Sequence, residues 1–461
     1  MRPASDGNRP LTIPAIAGCC GGFVVIGTLQ ALYGPAIPAF RIRFGVSPSV
    51  AGLALSADFA GALAGIVIYH LLRPLAGDRR LLVTCYAVMA LGAGLFAISP
   101  QWPMALAASL ITGFGSGGID YGLNRLFATG FGRRSAAMLN LLNAHFGVGA
   151  VVGPALIGAV GATRFPWLFG GVAAASLLLI PSLRGVRADP ARRGRKPGIR
   201  LVQRGPAPGD QPGVIEAGPG EPGAARPPST EYGAGSRASY VAQLRAEYGA
   251  EPETAGNPEP AEGESSATRG RTRLIVAAFI AIYVLYVAIE SGVGGWEPTH
   301  LEAVGYSASV AATATSGFWL ALTIGRFAAV PVSLRWPGPA IVTLCCLGMA
   351  VFLLMAVIPA AAPWAYAGLG LCCAPIWATG LPWLARAAPK VAAASAYVMA
   401  SSMIGGIVFP PLLGRAIEIA GVRSVPLILC TLAVACTALS AWLRRATRAS
   451  PEAAGQDSSR A

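Results

Sequence analysis

Charge is scarce in this sequence. Asp, Glu, Lys and Arg make up 12% of its 461 residues, against about a quarter in a soluble globular chain, so there is too little charge to coat a water-soluble globule of this length. Lysine occurs only as Lys196 and Lys390, and neither is followed by Ser or Thr. That excludes a GxxxxGK[ST] phosphate loop and with it a pump driven by nucleotide hydrolysis. The three histidines are scattered, and there is no HExxH and no CxxC pair. No metal site, no catalytic cluster and no cofactor is therefore expected, and the chain does not read as an enzyme. All nine cysteines fall inside apolar runs and read as small apolar helix residues.

What the sequence has instead is long apolar runs. They lie near 11–33, 49–72, 81–98, 103–129, 137–161 and 165–183, and again near 274–296, 308–330, 339–359, 363–385, 391–416 and 425–443. Runs of this length span a bilayer. Only helices satisfy their backbone there, because the runs lack the ten-residue alternation of a barrel. The expected fold is thus an all-α integral membrane protein of twelve transmembrane helices, with the lipid bilayer as its surroundings. Leu11 opens a run that continues beyond Gly27 without a small-residue cleavage site, which reads as an uncleaved first helix.

The net charge of +14 does not call for nucleic acid, since the basic residues flank apolar spans rather than gather on a soluble face. Their distribution sets an orientation. With both termini cytoplasmic and the long central loop left out, 16 basic residues lie inside against Arg41, Arg43, Arg164, Arg415 and Arg423 outside. A multi-pass protein of the cell inner membrane, acting as a monomer, is expected. From Arg184 to Arg273 there are 12 Pro, 15 Gly and three aromatics, a composition that cannot build a core. The expected organisation is a cytoplasmic tail 1–10, a six-helix bundle 11–183, a disordered cytoplasmic linker 184–273, a second six-helix bundle 274–444 and a cytoplasmic tail 445–461. The halves carry a repeat: GAVVGPALIG at Gly149–Gly158 and GGIVFPPLLG at Gly405–Gly414 agree at five of ten positions. Tandem, pseudo-symmetric six-helix bundles are the major facilitator architecture, which works by alternating access.

Ionisable residues far from a helix end are costly in lipid and mark cavities or partners. Asp120 lies deep in the fourth span, where Gly113, Gly117, Asp120 and Asn124 share one small polar face. Asp120 and Asn124 are expected to line a central cavity, where a desolvated carboxylate binds solute hydroxyls and takes up a proton. Asn140 and Asn143, one turn apart near the inner end of the fifth span, are expected to reach the cavity, with the neighbouring helix as the alternative. Glu290 lies with Tyr283, Tyr286 and Gly294 on one face of the seventh span, and Gly292 to Gly295 invite unwinding or bending. An acid beside aromatic rings suits a sugar, whose apolar face stacks on rings while its hydroxyls meet polar groups. Asp58 is read equally as structural or as facing a vestibule. Arg326 is expected to snorkel or to pair with an acid during gating, and His300 to be exposed.

At these residues the sequence resembles the fucose permease-like branch of the major facilitator superfamily, through Asp120 with Asn124, LNLLNAHFGVGAVVGP at Leu139–Pro154, Glu290 with Trp296, and SGFWLALTIGR at Ser316–Arg326. The resemblance covers both halves and implies a secondary transporter of a small polar solute, a sugar, with protons as the coupled ion. It adds Trp319 to the candidate solute-binding set, along with Gln30 and Tyr33, which stand in the first helix where sugar–proton symporters of this branch carry an acid. RPLAGDRR is a degenerate form of the superfamily's loop between helices two and three, implying gating roles for Asp78, Arg79 and Arg80. GAVVGPALIG also resembles the Gly-Pro motif of drug–proton antiporters, so export of a drug or secondary metabolite stands as the alternative to uptake.

Overall fold

The computed structural model describes residues 11–131, 134–186, 266–389, 391 and 394–448. Most of the expected linker and of both tails lies outside these. Among the described residues the chain forms twelve long helices: α1 Ile13–Phe44, α2 Pro48–Ala76, α3 Asp78–Ile98, α4 Trp102–Gly130, α5 Ser135–Val160, α6 Phe165–Leu179, α7 Ser266–Ala303, α8 Ala308–Arg335, α9 Gly338–Met355, α10 Ala362–Ala387, α11 Ala394–Ala420 and α12 Val425–Arg448. Eleven of them are long and apolar enough to cross a membrane. The other, α4, is as long but is diluted by glycine and by Asp120, Asn124 and Arg125.

The helices alternate in direction, so the bundle has a terminal face, carrying the start of α1 and the end of α12, and a distal face. Two helices run further toward the distal face than the apolar runs indicate. The α1 helix continues past Tyr33 through Pro35 and Pro38 to Phe44, and α7 continues past Trp296 through Pro298 to Ala303. Proline reads as a breaker because it removes an N–H and crowds the preceding turn. Inside a membrane bundle neighbouring helices satisfy the freed groups, and the helix persists. The expected unwinding at Gly292 to Gly295 does not occur: α7 is helical throughout, and its glycines serve close packing. Gly34 of α1 meets the backbone of Gly294 and Gly295, and Gly292 meets Leu429 of α12.

The repeated segment explains how the two sets of six helices meet. In α5, Gly149 packs on the backbone of α1 at Val24 and Thr28, while Gly158 faces Ser309 and Thr313 of α8. In α11, Gly405 packs on α7 at Val284 and Ala288, while Gly414 faces Pro48 and Ser49 of α2. Each repeat thus binds its own bundle by its first glycine and the opposite bundle by its last. Gly161 (φ 90) and Gly421 (φ 83) then end the two helices in a backbone conformation that favours glycine.

Three seams join the bundles, α1 to α7, α2 to α11 and α5 to α8. The glycine contacts that mark them run from the distal ends of these helices to about their midpoints, where Gly147 meets Thr323 and Gly406 meets Phe59. The α2–α11 seam also carries a polar tie. Ser47, at the N-cap of α2, makes no capping bond of its own; instead Glu418 of α11 accepts from the backbone N–H (2.9 Å) and hydroxyl (2.7 Å) of Ser49. A carboxylate on an N-terminal helix turn is favourably placed by the helix dipole. Among the described residues α4 and α10 form no seam with the opposite bundle, so the molecule is sealed distally and not on the terminal side.

Candidate functional site

Directly beneath the seams lies a cavity of about 180 Å³ between the bundles. Its walls come from α1 (Gln30, Tyr33), α2 (Leu55, Asp58, Phe59), α5 (Phe146), α7 (Val287, Glu290, Ser291, Gly294), α8 (Trp319, Arg326), α10 (Trp377) and α11 (Met403). Both bundles therefore contribute, as a site that is exposed first on one face and then on the other requires. Aromatic rings supply flat apolar walls, while Gln30, Asp58, Glu290 and Arg326 supply polar ones.

Among the described residues, Asp58 Oδ1 (the residue is 3% exposed) and Trp319 Nε1 on this wall have no hydrogen-bond partner, and neither has Tyr286 Oη behind it. Leaving a buried polar group unbonded costs roughly 1–3 kcal/mol, so a solute that bonds these atoms recovers that cost. The Tyr33 hydroxyl donates to Ser109 Oγ (3.2 Å) and lies beside Asp58. Glu290 on α7 and Arg326 on α8 interact across the cavity wall, so Arg326 faces the cavity here.

The candidates from the sequence divide into three places. Gln30, Tyr33, Glu290 and Trp319 line the cavity with Arg326. Tyr286 lies behind that wall, buried beside Glu290, with its ring edge-on to Trp377 at 6.2 Å. Asp120, Asn124 and Asn143 lie outside the cavity wall as a hydrogen-bonded chain in the terminal half: Asn143 Nδ2 donates to Asn124 Oδ1 (3.1 Å), and Asn124 Nδ2 to Asp120 Oδ1 (3.0 Å). Gly113 and Gly117, on the same face of α4, pack on the α2 backbone at Asp58 and Ala62.

Of the gating candidates, Asp78 is the centre of a cluster at the terminal end. It accepts from Tyr69 (3.2 Å), lies 3.4 Å from Arg73 Nε and is 3.5 Å from Arg125 Nη1 of α4. These contacts tie α2, α3 and α4 within one bundle. Arg79 and Arg80 are exposed. The sequence reading did not single out Arg125, whose partner is far away in the chain.

His300 corrects an expectation: it is 1% exposed, and its Nδ1 lies 3.1 Å from the Tyr366 hydroxyl. The reason is the greater length of α7, which carries Glu297, Thr299 and His300 into the helix bundle instead of into a loop.

A larger groove of about 550 Å³ lies between α8, α9 and α10, lined by Ala328, Val332, Trp336, Leu344 and Leu371. It is almost wholly apolar and belongs to one bundle, so it offers a polar solute nothing and no alternation of access.

A central cavity shared by two six-helix bundles, sealed at one face only, defines a membrane transporter. A sequence profile of the Major Facilitator Superfamily matches residues 19–289 and 274–460; the chain belongs to that superfamily. Solved structures with the same fold include the xylose transporter XylE from E. coli in a partially occluded inward-open conformation (TM-score 0.63, 13% identity, 92% of this chain and 97% of that one). The nucleoside transporter NupG (0.65, 11%, 94% and 98%) and the E. coli fucose:proton symporter FucP (0.52, 14%, 94% and 98%) share it too. No curated protein matches the sequence by direct comparison.

Proposed function

We propose that this chain is a secondary active transporter that takes up a small hydroxylated solute, of the monosaccharide class, by alternating access and together with protons. The observation that carries the proposal is the cavity: two tryptophans and two carboxylates around unbonded buried polar atoms. Rings can stack on the apolar face of a pyranose while Gln30, Asp58, Glu290 and Arg326 bond its hydroxyls. The volume supports a small solute, since about 180 Å³ falls below the roughly 300–1,000 Å³ usual for drug-sized ligands. Similar structures include transporters named for xylose and for fucose with a proton.

In this reading the solute is held by Gln30, Tyr33, Glu290 and Trp319, with Asp58 added to the set, and Tyr286 supports Glu290 from behind the wall. Asp120, Asn124 and Asn143 form a proton-accepting chain on the terminal side. The excess of basic residues at the terminal face favours its being cytoplasmic, which makes this an inward-facing conformation. Export is the competing direction. Its motif, GAVVGPALIG, takes part in the α1 and α8 packing, so it has a structural use that does not depend on direction.

The test is uptake of a panel of labelled sugars into proteoliposomes holding the purified protein, with and without an inwardly directed proton gradient. Accumulation of one sugar, stimulated by the gradient, is expected. Absence of any sugar flux in liposomes shown to be transport-competent would overturn the sugar reading and put export first.

A further inference from the structure

Seven residues beyond Glu290 on α7 lies an acid that the solute site does not use. Glu297 is 0% exposed, and neither carboxylate oxygen has a hydrogen-bond partner among the described residues. Seven residues are almost two helical turns, so Glu297 shares the Glu290 face about 10 Å further toward the distal end. It is not in the cavity wall. Gly294 lines the cavity and packs on Trp319 at an intervening level, and Glu297 lies beyond that layer.

There it meets Thr315 of α8, one turn from Trp319, and Tyr366 of α10. Tyr366 in turn pairs with His300, one turn further along α7. Thr299 Oγ1, also buried, has no hydrogen-bond partner among the described residues. Among the described residues no cation pairs with the acid. On the neighbouring elements, Arg415 and Glu418 of α11 pair with each other (2.8 Å), and Arg43 of α1 bonds the Ser99 carbonyl (3.1 Å). Arg41, also near the distal end of α1, forms no ion pair with Glu297, Arg326 of α8 faces Glu290, and the arginines of α12 are in its last turns at the opposite face.

A dry carboxylate with no cation beside it, and only the Thr315 and Tyr366 hydroxyls nearby, is poorly tolerated as a charge, and binding a proton removes that charge. We propose that Glu297 is a proton-binding site of the second bundle, separate from the solute cavity, and that Tyr366 and His300 connect it to the distal face. In the sealed state the proton resides on a Glu297 oxygen. When the α1–α7 and α2–α11 seams part, water reaches the site, takes the proton as hydronium and leaves a hydrated carboxylate. Resealing the seams requires that a proton return. The site itself depends on no particular solute and on neither direction of transport.

The experiment is infrared spectroscopy of the full-length protein in nanodiscs at neutral pH, comparing wild type with Glu297→Gln. The expected result is loss from E297Q of one carboxylic-acid C=O band that is sensitive to deuterium oxide. If E297Q fails to fold, wild-type protein carrying ¹³C-labelled glutamate and the variant Thr315→Val replace it: the band must shift with the label and move again in T315V. Superimposable carboxylic-acid regions in wild type and E297Q, or a band indifferent to the label, would mean that Glu297 is ionised and would overturn the proposal.

Discussion

Replacing Gly52 by alanine adds one carbon at a place where the structure has no room for it. A Cβ there would lie 2.6 Å from the Pro410 carbonyl oxygen, 2.8 Å from its carbon and 3.0 Å from Pro411 Cα. All three are backbone atoms of α11, so no side chain can rotate aside. An ordinary carbon–oxygen approach is about 3.3 Å, so the α2–α11 seam must part by about 0.7 Å or the helices must shift along each other. Overpacking of this kind costs roughly 1–3 kcal/mol. If the seam parts on distal opening, that cost shifts the balance toward the open state by about 5- to 150-fold. Gly414 faces the same seam from the other side, with Pro48 O at 2.6 Å and Ser49 Cα at 2.7 Å; G414A should therefore act in the same direction, and the double variant should give less than the sum because the seam is already open. Hydrogen–deuterium exchange reads this out as faster exchange at the first turns of α2 and the last turns of α11. Gly170 in α6, where an added Cβ meets nothing within 4 Å, supplies the control. If G52A and G170A exchange alike at those turns, the α2–α11 seam does not govern distal closure and the reasoning fails.

Two further outcomes follow from the terminal half. Asp78→Asn removes the charge shared by Arg73 and Arg125 and leaves Arg125 partly buried without its counter-ion; thermal melting in detergent should show a loss of roughly 1–3 kcal/mol, with Asp78→Glu recovering part of it, and unchanged melting would show that the cluster contributes nothing. Asp120→Asn keeps the shape of the Asn143–Asn124–Asp120 chain but removes its only charge; transport should fall about tenfold or more with a weakened and shifted dependence on pH, whereas intact transport with intact pH dependence would make Asp120 structural.

The membrane fold is legible because lipid imposes one rule, that every backbone amide be bonded within its own segment, and twelve apolar runs meet it in only one way. The cavity is partly legible for the same reason. Glu290 stands out as an acid inside an apolar span, Gln30, Tyr33 and Trp319 come from the resemblance to the fucose permease-like branch, and the cavity gathers all four. Periodicity gives a face but not the neighbour across it. The face of Gly113, Gly117, Asp120 and Asn124 reads as one surface, yet its glycines meet α2 and Asn124 meets Asn143 of α5, a division set by how helices cross rather than by spacing along α4.

The distal end of α7 was hidden for a different reason. The apolar run ends near 296, which leaves Glu297 and His300 outside the expected span, where an acid and an imidazole are unremarked. With Pro298 inside the helix, the same residues enter the core of the bundle, and burial turns an ordinary loop glutamate into an unpaired acid. The helix runs on because Trp296 is anchored: it is fully buried and its Nε1 donates to the Pro410 carbonyl at 3.3 Å. Pro410 is also the residue that faces Gly52, so a single stretch of α11 backbone both receives α2 at the seam and fixes the α7 turn that carries Glu297. Parting of the α2–α11 seam is therefore expected to reach that turn through Trp296, the physical link by which opening of the distal face would bring water to the acid.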